Sequence, residues 1–310
     1  MRNISNLVSR QLQLVTRRNI VTSVNQRIRR ALFYVPGSDP RKLTSSMKLT
    51  ADCLTYDLED SVPFQSKDLA RNQVLATLNE STNTISERAV RINHVGSGFE
   101  HDDLDIILKS ENLQAIVIPK VQSSHDISFV SHMIDLKKNP KNKNEIAIIA
   151  SIESALAIMN LQEIAKSDKK LGGLIFAAED FCADLGLKRT SDRKEMLYAR
   201  SAMVTTAKAY QLQAIDLVCL EFKDSEILKQ ECEEGYQMGF TGKQAIHPNQ
   251  VSLIQSKFIP DDKEIEKATK ILEGYEKHSL KGFGAFELDG QVIDLPVVKW
   301  AERVLARVPK

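Results

Sequence analysis

Eight stretches of this chain are short and apolar, and between them the apolar residues recur at helical spacing. Ala31–Val35 is stopped by Pro36-Gly37, and Cys53–Leu58 by Glu59-Asp60. Ala89–Asn93, Ala115–Ile118, Ile146–Ile152, Leu174–Ala178, Ala214–Leu220 and a weaker Phe240–Ile246 follow. The pattern predicts helices over Arg41–Thr50, Gln65–Leu78, Asp102–Leu108, Ser123–Leu136, Ser154–Lys166, Arg193–Gln211 and Asp224–Met238. Ser123 stands where an N-cap belongs and Gly239 where a helix stops.

Strands that alternate with helices pair in parallel, because each return connection crosses the sheet. Eight repeats match an α/β (β/α)8 TIM barrel. An open doubly wound sheet has less support, since no G-x-G-x-x-G follows the first strand. The barrel is expected over residues 31–256. The remainder, 257–310, is expected as a C-terminal helical arm packed on the barrel or on a neighbouring subunit. It holds a helix (Asp262–His278), a Gly-containing link (Lys281–Gly284), a hairpin around Asp289-Gly290 and a last helix (Pro296–Val308).

Composition changes this picture only at the amino end. The 42 Lys+Arg balance 41 Asp+Glu, so no global basic charge points to nucleic acid. No apolar run approaches the roughly 18 residues of a membrane-spanning helix. Cys53, Cys182, Cys219 and Cys232 are scattered without a C-x-x-C, which fits a reducing compartment rather than a zinc or disulfide framework. Residues 1–30 differ: seven Arg, no Lys and no acid before Asp39. Ile4, Leu7, Val8, Leu12 and Val15 would form one helical face. That is the composition of a mitochondrial transit peptide and predicts a matrix protein; a basic tail binding nucleic acid or anionic lipid is the alternative. Removing the seven arginines takes the net charge from +1 to −6.

In a barrel the ligand sits at the carboxyl ends of the strands. Those ends carry Tyr34, Glu59-Asp60, Arg91, Lys120, Glu153, Glu179-Asp180 and His247. Acids ending the fifth and sixth strands can converge on a hard cation such as Mg²⁺, which prefers one or two carboxylates with waters and substrate oxygens. Strand-end acids that merely cap a helix or pair with Lys are the competing explanation. Arg91 offers a donor fork to a carboxylate or enolate oxygen. A metal with an arginine suits aldol or Claisen chemistry. Lys120 is expected in an ion pair with Glu59 or Glu153 rather than as a Schiff base, His247 as a loop histidine, and Asp216 as structural.

Several motifs resemble the HpcH/HpaI aldolase and citrate lyase beta-subunit family. They are Arg30–Gly37 (RALFYVPG), Leu58-Glu59-Asp60-Ser61-Val62, Val90-Arg91-Ile92-Asn93, Ile118-Pro119-Lys120-Val121, Ile152-Glu153-Ser154-Ala155, Ala178-Glu179-Asp180-Phe181 and Gly242–Pro248 (GKQAIHP). They occur in order across nearly everything after residue 30. One departure is Ala177-Ala178, where the family often has Gly-Gly.

The resemblance implies a homotrimer that uses Mg²⁺ and a CoA thioester, with active sites shared between subunits. It implies Glu153 and Asp180 as metal ligands and Arg91 as the residue steadying the thioester enolate. It further implies Tyr34, Arg41, Ser45, Gln244 and Ala245 at the CoA and substrate surface, and Asp294 as acid–base residue of the adjacent subunit's site. The implied reaction is retro-Claisen cleavage of (S)-citramalyl-CoA to acetyl-CoA and pyruvate, with malate and methylmalate synthase side activity. A malyl-CoA lyase or thioesterase differs by one methyl, worth about 1–3 kcal/mol in a hydrophobic pocket. A catalytically silent scaffold subunit conflicts with the intact Arg91, Glu153, Asp180 and Asp294. A nucleic-acid-binding role lacks any basic-aromatic motif beyond the amino end.

Overall fold

The computed structural model describes residues 27–279 and 285–308. These fall into two units, one reaching to Ser256 and one beginning at Lys257. The bulk of the amino-terminal basic segment and the Gly-containing link at 281–284 lie outside the described residues.

The first unit is a closed barrel of eight parallel strands in sequence order: β1 (Ala31–Pro36), β2 (Cys53–Asp57), β3 (Glu87–Arg91), β4 (Ala115–Ile118), β5 (Ala147–Ile152), β6 (Leu171–Phe176), β7 (Gln213–Asp216) and β8 (Gly242–Ala245). β8 closes on β1 through Ala31↔Lys243 and Phe33↔Ala245. Alternate residues point inward. Leu32, Cys53, Ala89, Ala115, Val117, Ala147, Ile149, Ile175 and Ile215 fill the interior, with Tyr34 packed above them. Small residues on several strands leave room for the branched ones opposite. Each buried Ile contributes about 1.5–3 kcal/mol. Outside lie α1 (Pro40–Ser46), α2 (Lys67–Glu80), α3 (Glu100–Ile107), α4 (Ser124–Lys137), α5 (Ala155–Met159), α6 (Leu161–Ala165), α7 (Ala178–Leu185), α8 (Leu197–Ala209), α9 (Ser225–Met238) and α10 (Pro248–Lys257).

Local chemistry sets the boundaries. Ser123 caps α4 in a full capping box with Asp126, Asp224 caps α9, and Gly239 ends α9 at φ 98°. Two apolar patterns resolve differently from their sequence. The stretch 154–166 is two helices, because Asn160 leaves helical geometry and its Nδ2 donates to the Gln122 carbonyl at 2.9 Å. β7 stops at Asp216, although the apolar run continues to Leu220. Three carbonyls beyond Ile215 are taken by side chains: Asp216 by Gln244, Val218 by Arg189, and Cys219 by Gln250. Helices α7 and α10 are additions to the pattern read from the sequence.

The floor of the barrel is ionic. Arg29, 1 % exposed, donates to both oxygens of Glu87 at 2.5 and 2.7 Å, and Arg27 adds a third bond at 2.7 Å. Arg30 pairs with Asp52. Three of the amino-terminal arginines are thus structural parts of the barrel. A Cβ on Gly242 would lie 2.0 Å from the Arg29 carbonyl, so only glycine lets β8 pass this segment.

The second unit contains α11 (Asp262–Ser279), the hairpin β9 (Phe286–Leu288)/β10 (Gln291–Ile293) and α12 (Leu295–Leu305). Asp289 and Gly290 both take positive φ (50° and 77°), as a tight hairpin turn with matching twist requires. Ala268, Ile271, Phe286, Ile293, Val298, Ala301 and Val304 form its own small core. His278 stacks on Phe286 with centroids 4.7 Å apart, and Gly274 leaves room for that ring.

Candidate active site

A cavity of about 710 Å³ opens at the carboxyl ends of the strands. Of the residues that the family resemblance implies, Tyr34, Ser45, Arg91, Asp180 and Gln244 line it. Each is delivered by a different element: β1, α1, β3, α7 and β8.

Arg91 is held on several sides. Its Nε and Nη2 donate to the two oxygens of Asp57 at 2.7 Å each, and Nη1 lies 3.0 Å from Glu59 Oε2. The guanidinium sits over the Tyr34 ring, 4.9 Å from its centroid. Such stacking keeps a cation beside an apolar wall. Burial alone would lower the Arg91 pKa, but Asp57 and its hydrogen bonds raise it well above the usual value. The Tyr34 hydroxyl donates to Gln244 Oε1 at 3.1 Å. Gln244 is buried, and its Nε2 donates to the Phe176 and Asp216 carbonyls at 3.0 and 3.1 Å, which fixes which end of the amide faces Tyr34. Burial pushes the Tyr34 phenol far above its ordinary pKa, so it remains a neutral donor.

Glu59 takes Lys120 at 2.6 Å, which is the ion pair expected for that lysine. Burial raises the Glu59 carboxyl to about 7 despite the two cations. Lys120 adopts φ 51°, uncommon for a residue with a Cβ. Strained backbone of this kind is held only where the surroundings over-determine it.

Glu153 follows β5 and Asp180 lies in the first turn of α7. Glu153 is 5 % exposed. Its carboxyl is raised first by burial and then by the charge of Asp180, with Ser151 and the Lys120 backbone N–H only partly offsetting them. Among the described residues, neither acid has a Lys or Arg within ion-pair distance, whereas the adjacent Glu179 pairs with Arg189. Nor, among the described residues, do three or more His, Cys, Asp or Glu side chains gather as a closed metal cage. A buried acid repelled by a second acid, both without a protein cation, fits a hard divalent cation completed by water and substrate oxygens.

The remaining residues fall elsewhere. Arg41 is exposed outside the cavity lining, and its neighbour Lys42 lines the cavity instead, one residue further round the helix. Ala245 is fully buried, with Gln244 and Ile246 on either side facing the cavity, as strand alternation demands. Asp294 belongs to the second unit, exposed, where its carboxylate caps α12 through the Val297 N–H. His247 lines the cavity and stacks on Phe222. Asp216 points outward into a fully buried pair with Arg200 at 2.8 Å. Sequence reasoning passed over Asp57. The signal available was an acid inside a buried strand, and only the register Asp57↔Arg91 explains it.

A closed parallel barrel whose strand ends gather an acid pair, an anchored arginine and a cavity of small-molecule size has the architecture of a barrel enzyme. Residues 30–248 match the HpcH/HpaI aldolase/citrate lyase model, and the chain belongs to that family. A mitochondrial citramalyl-CoA lyase of Rattus norvegicus is 36% identical over 287 residues, spanning 89% of this chain and 85% of the relative. The citrate lyase subunit beta of Leuconostoc mesenteroides subsp. cremoris is 33% identical over 283 residues, spanning 91% and 93%. Among solved structures, CitE of Mycobacterium tuberculosis in complex with magnesium, acetoacetate and coenzyme A is similar with a TM-score of 0.75 at 26% identity, covering 91% of this chain and 98% of that one.

Proposed function

We propose that this protein is a Mg²⁺-dependent carbon–carbon lyase that cleaves (S)-citramalyl-CoA to acetyl-CoA and pyruvate by a retro-Claisen reaction. The observation that carries the reading is one cavity that joins the anchored Arg91 to the Asp180 side of an acid pair that, among the described residues, has no Lys or Arg within ion-pair distance. Its 36% identity to a rat protein named as a citramalyl-CoA lyase supports the choice of substrate.

Glu153 and Asp180 would hold the metal, which supplies Lewis-acid polarisation of the substrate's carboxylate and hydroxyl oxygens. Arg91 meets the negative charge that builds on the thioester oxygen as the carbon–carbon bond breaks. Its donors are fixed in advance by Asp57 and Tyr34, so little reorganisation is needed at the moment of reaction. Tyr34 and Gln244 hold that wall rigid, while Ser45 and Lys42 flank the rim that the CoA portion would cross. As the carbon–carbon bond breaks, the substrate hydroxyl gives up its proton to become pyruvate's keto oxygen, and Asp294 returns one proton to the acetyl-CoA enolate carbon in the site of a neighbouring subunit of a homotrimer. In reverse it removes that proton, and hydrolysis of the condensed thioester gives the malate and methylmalate synthase side activity.

The amino-terminal segment serves as a mitochondrial leader and the enzyme works in the matrix. The acid-free, Arg-rich composition supports this, as does the mitochondrial label of the rat relative. The leader ends before Arg27, because Arg27 and Arg29 are needed against Glu87.

The test is a screen of protein beginning at residue 27 against citramalyl-, malyl- and citryl-CoA, with and without Mg²⁺. Metal-dependent release of pyruvate from citramalyl-CoA is expected. Preference for malyl- or citryl-CoA would move the assignment to another substrate, and no turnover of any would sink it.

A further inference from the structure

Glu59 has no role in the reaction outlined above, yet it is buried at 4 % exposure immediately beside the cavity wall. Its main chain is pinned: Lys67 Nζ donates to the Leu58 and Glu59 carbonyls at 2.7 Å each and to Asn93 Oδ1 at 2.8 Å. Its carboxylate is divided between two cations. Oε1 accepts from Lys120 Nζ at 2.6 Å, and Oε2 lies 3.0 Å from Arg91 Nη1.

We propose that Glu59 is the positioning residue that orients Arg91 toward substrate, acting through its 3.0 Å ion-pair contact with Nη1. A guanidinium has five N–H donors. Asp57 takes the Nε–H and one Nη2–H, while Glu59 Oε2 makes a 3.0 Å ion-pair contact with Nη1 and, among the described residues, has no hydrogen-bond partner of its own. That leaves N–H groups on both Nη atoms to meet an oxygen in the cavity. With Asp57 alone no opposite charge holds the Nη1 end. The inference rests on the assignment of Arg91 to the thioester oxygen.

The arrangement requires an ionised carboxylate. A proton on either oxygen puts a donor against a cation, so either Arg91 or Lys120 must give way. The charged groups facing Glu59 are Arg91 from β3, Lys120 past β4, Lys67 from α2, and Asp57 and Asp60 from its own segment. Burial holds the Glu59 carboxyl near 7, so the switch falls in the neutral range. Because the folded pKa is raised, the ionised and orienting form prevails above that point and is lost as pH falls through it.

Glu59→Gln imposes the neutral state at every pH. For wild type, kcat for citramalyl-CoA cleavage is expected to show an acid limb with its midpoint near pH 7. Glu59→Gln should lack that limb and run at least tenfold slower at pH 8. Lys120→Met removes a cation that favours the ionised carboxylate, so its limb should move to higher pH. A Glu59→Gln enzyme that keeps the wild-type rate or limb, or a Lys120→Met limb that stays in place, overturns the proposal. Crystal structures of wild type and Glu59→Gln at pH 8 give an answer that needs no turnover: the Arg91 guanidinium should shift away from residue 59 in the variant, and an Arg91 that stays in place refutes the role, whatever Lys120 does. A wild-type protein inactive on all three thioesters would sink the functional reading instead, leaving the crystallographic comparison to decide the positioning of Arg91.

Discussion

Asp57 and Arg91 lie directly opposite one another on β2 and β3 and are joined by two hydrogen bonds of 2.7 Å each. The carboxylate also accepts from the Glu59 and Ser61 backbone N–H groups, so one buried acid holds both the arginine and the loop leaving β2.

Asp57→Asn should therefore damage activity and stability together. Removing the charge leaves Arg91 mostly buried without its bidentate partner, at a cost of about 3 kcal/mol. Turnover should drop at least 100-fold, since the guanidinium loses its orientation. Burial alone would raise the Asp57 pKa, but Arg91 and the hydrogen bonds more than reverse this. With the folded value below the unfolded one, this contribution is present above about pH 4 and fades as pH falls through the folded pKa. Urea unfolding from pH 7 to pH 3 should show the wild type converging on the variant. Parallel stability curves would refute the linkage.

The acid pair makes a second demand. Glu153→Ala or Asp180→Ala should abolish Mg²⁺-dependent turnover and weaken Mg²⁺ binding in calorimetric titration. The fold should survive, because among the described residues neither acid has a Lys or Arg within ion-pair distance. Glu153→Ala should even unfold at a slightly higher temperature without metal, since it removes a buried carboxylate raised by desolvation. Near-normal metal affinity in either variant would place the cation elsewhere.

Asp294 can be tested by subunit mixing. Asp294→Asn should lose most turnover yet still bind CoA thioester and Mg²⁺, because the residues proposed for both lie in the barrel. Mixed with Arg91→Lys subunits, it should regenerate some sites with both residues wild type. Activity that stays at parental levels after demonstrated subunit exchange would exclude action in trans.

The amino-terminal arginines predict a sharp difference between two truncations. A protein starting at residue 27 should melt like the full chain. One starting at residue 31 loses Arg27 and Arg29, leaving Glu87 buried without either cation, and should lose about 3–5 kcal/mol. Residues 1–26 fused to a reporter should carry it into mitochondria, and a reporter left in the cytosol would remove the leader reading.

The barrel was legible in the sequence because burial on both faces of parallel strands writes itself as short apolar runs, and each crossover as helical spacing. The capping residue Ser123 and the stop at Gly239 were legible for the same reason: each satisfies or ends a helix using its own neighbours in the chain. Arg91, Lys120 and the acids of the candidate site were legible one residue at a time, as charges just past strand ends, while Ser45, Gln244 and Asp294 came only from the family resemblance. Which of those charges meet was decided by tertiary structure. Asp57 reads as an acid misplaced in a strand until register sets it opposite Arg91. Glu59, Lys120 and Arg91 are joined across β2, β3 and the end of β4. The resemblance implied Arg41 at the CoA surface, and only the rotation of α1 shows that Lys42, one residue on, lines the cavity instead. Even the basic amino end, uniform as composition, divides at Arg27, where the barrel floor supplies a buried carboxylate. Sequence pattern records a residue's own burial, whereas a charge's role depends on partners brought close by folding and on the low dielectric around them.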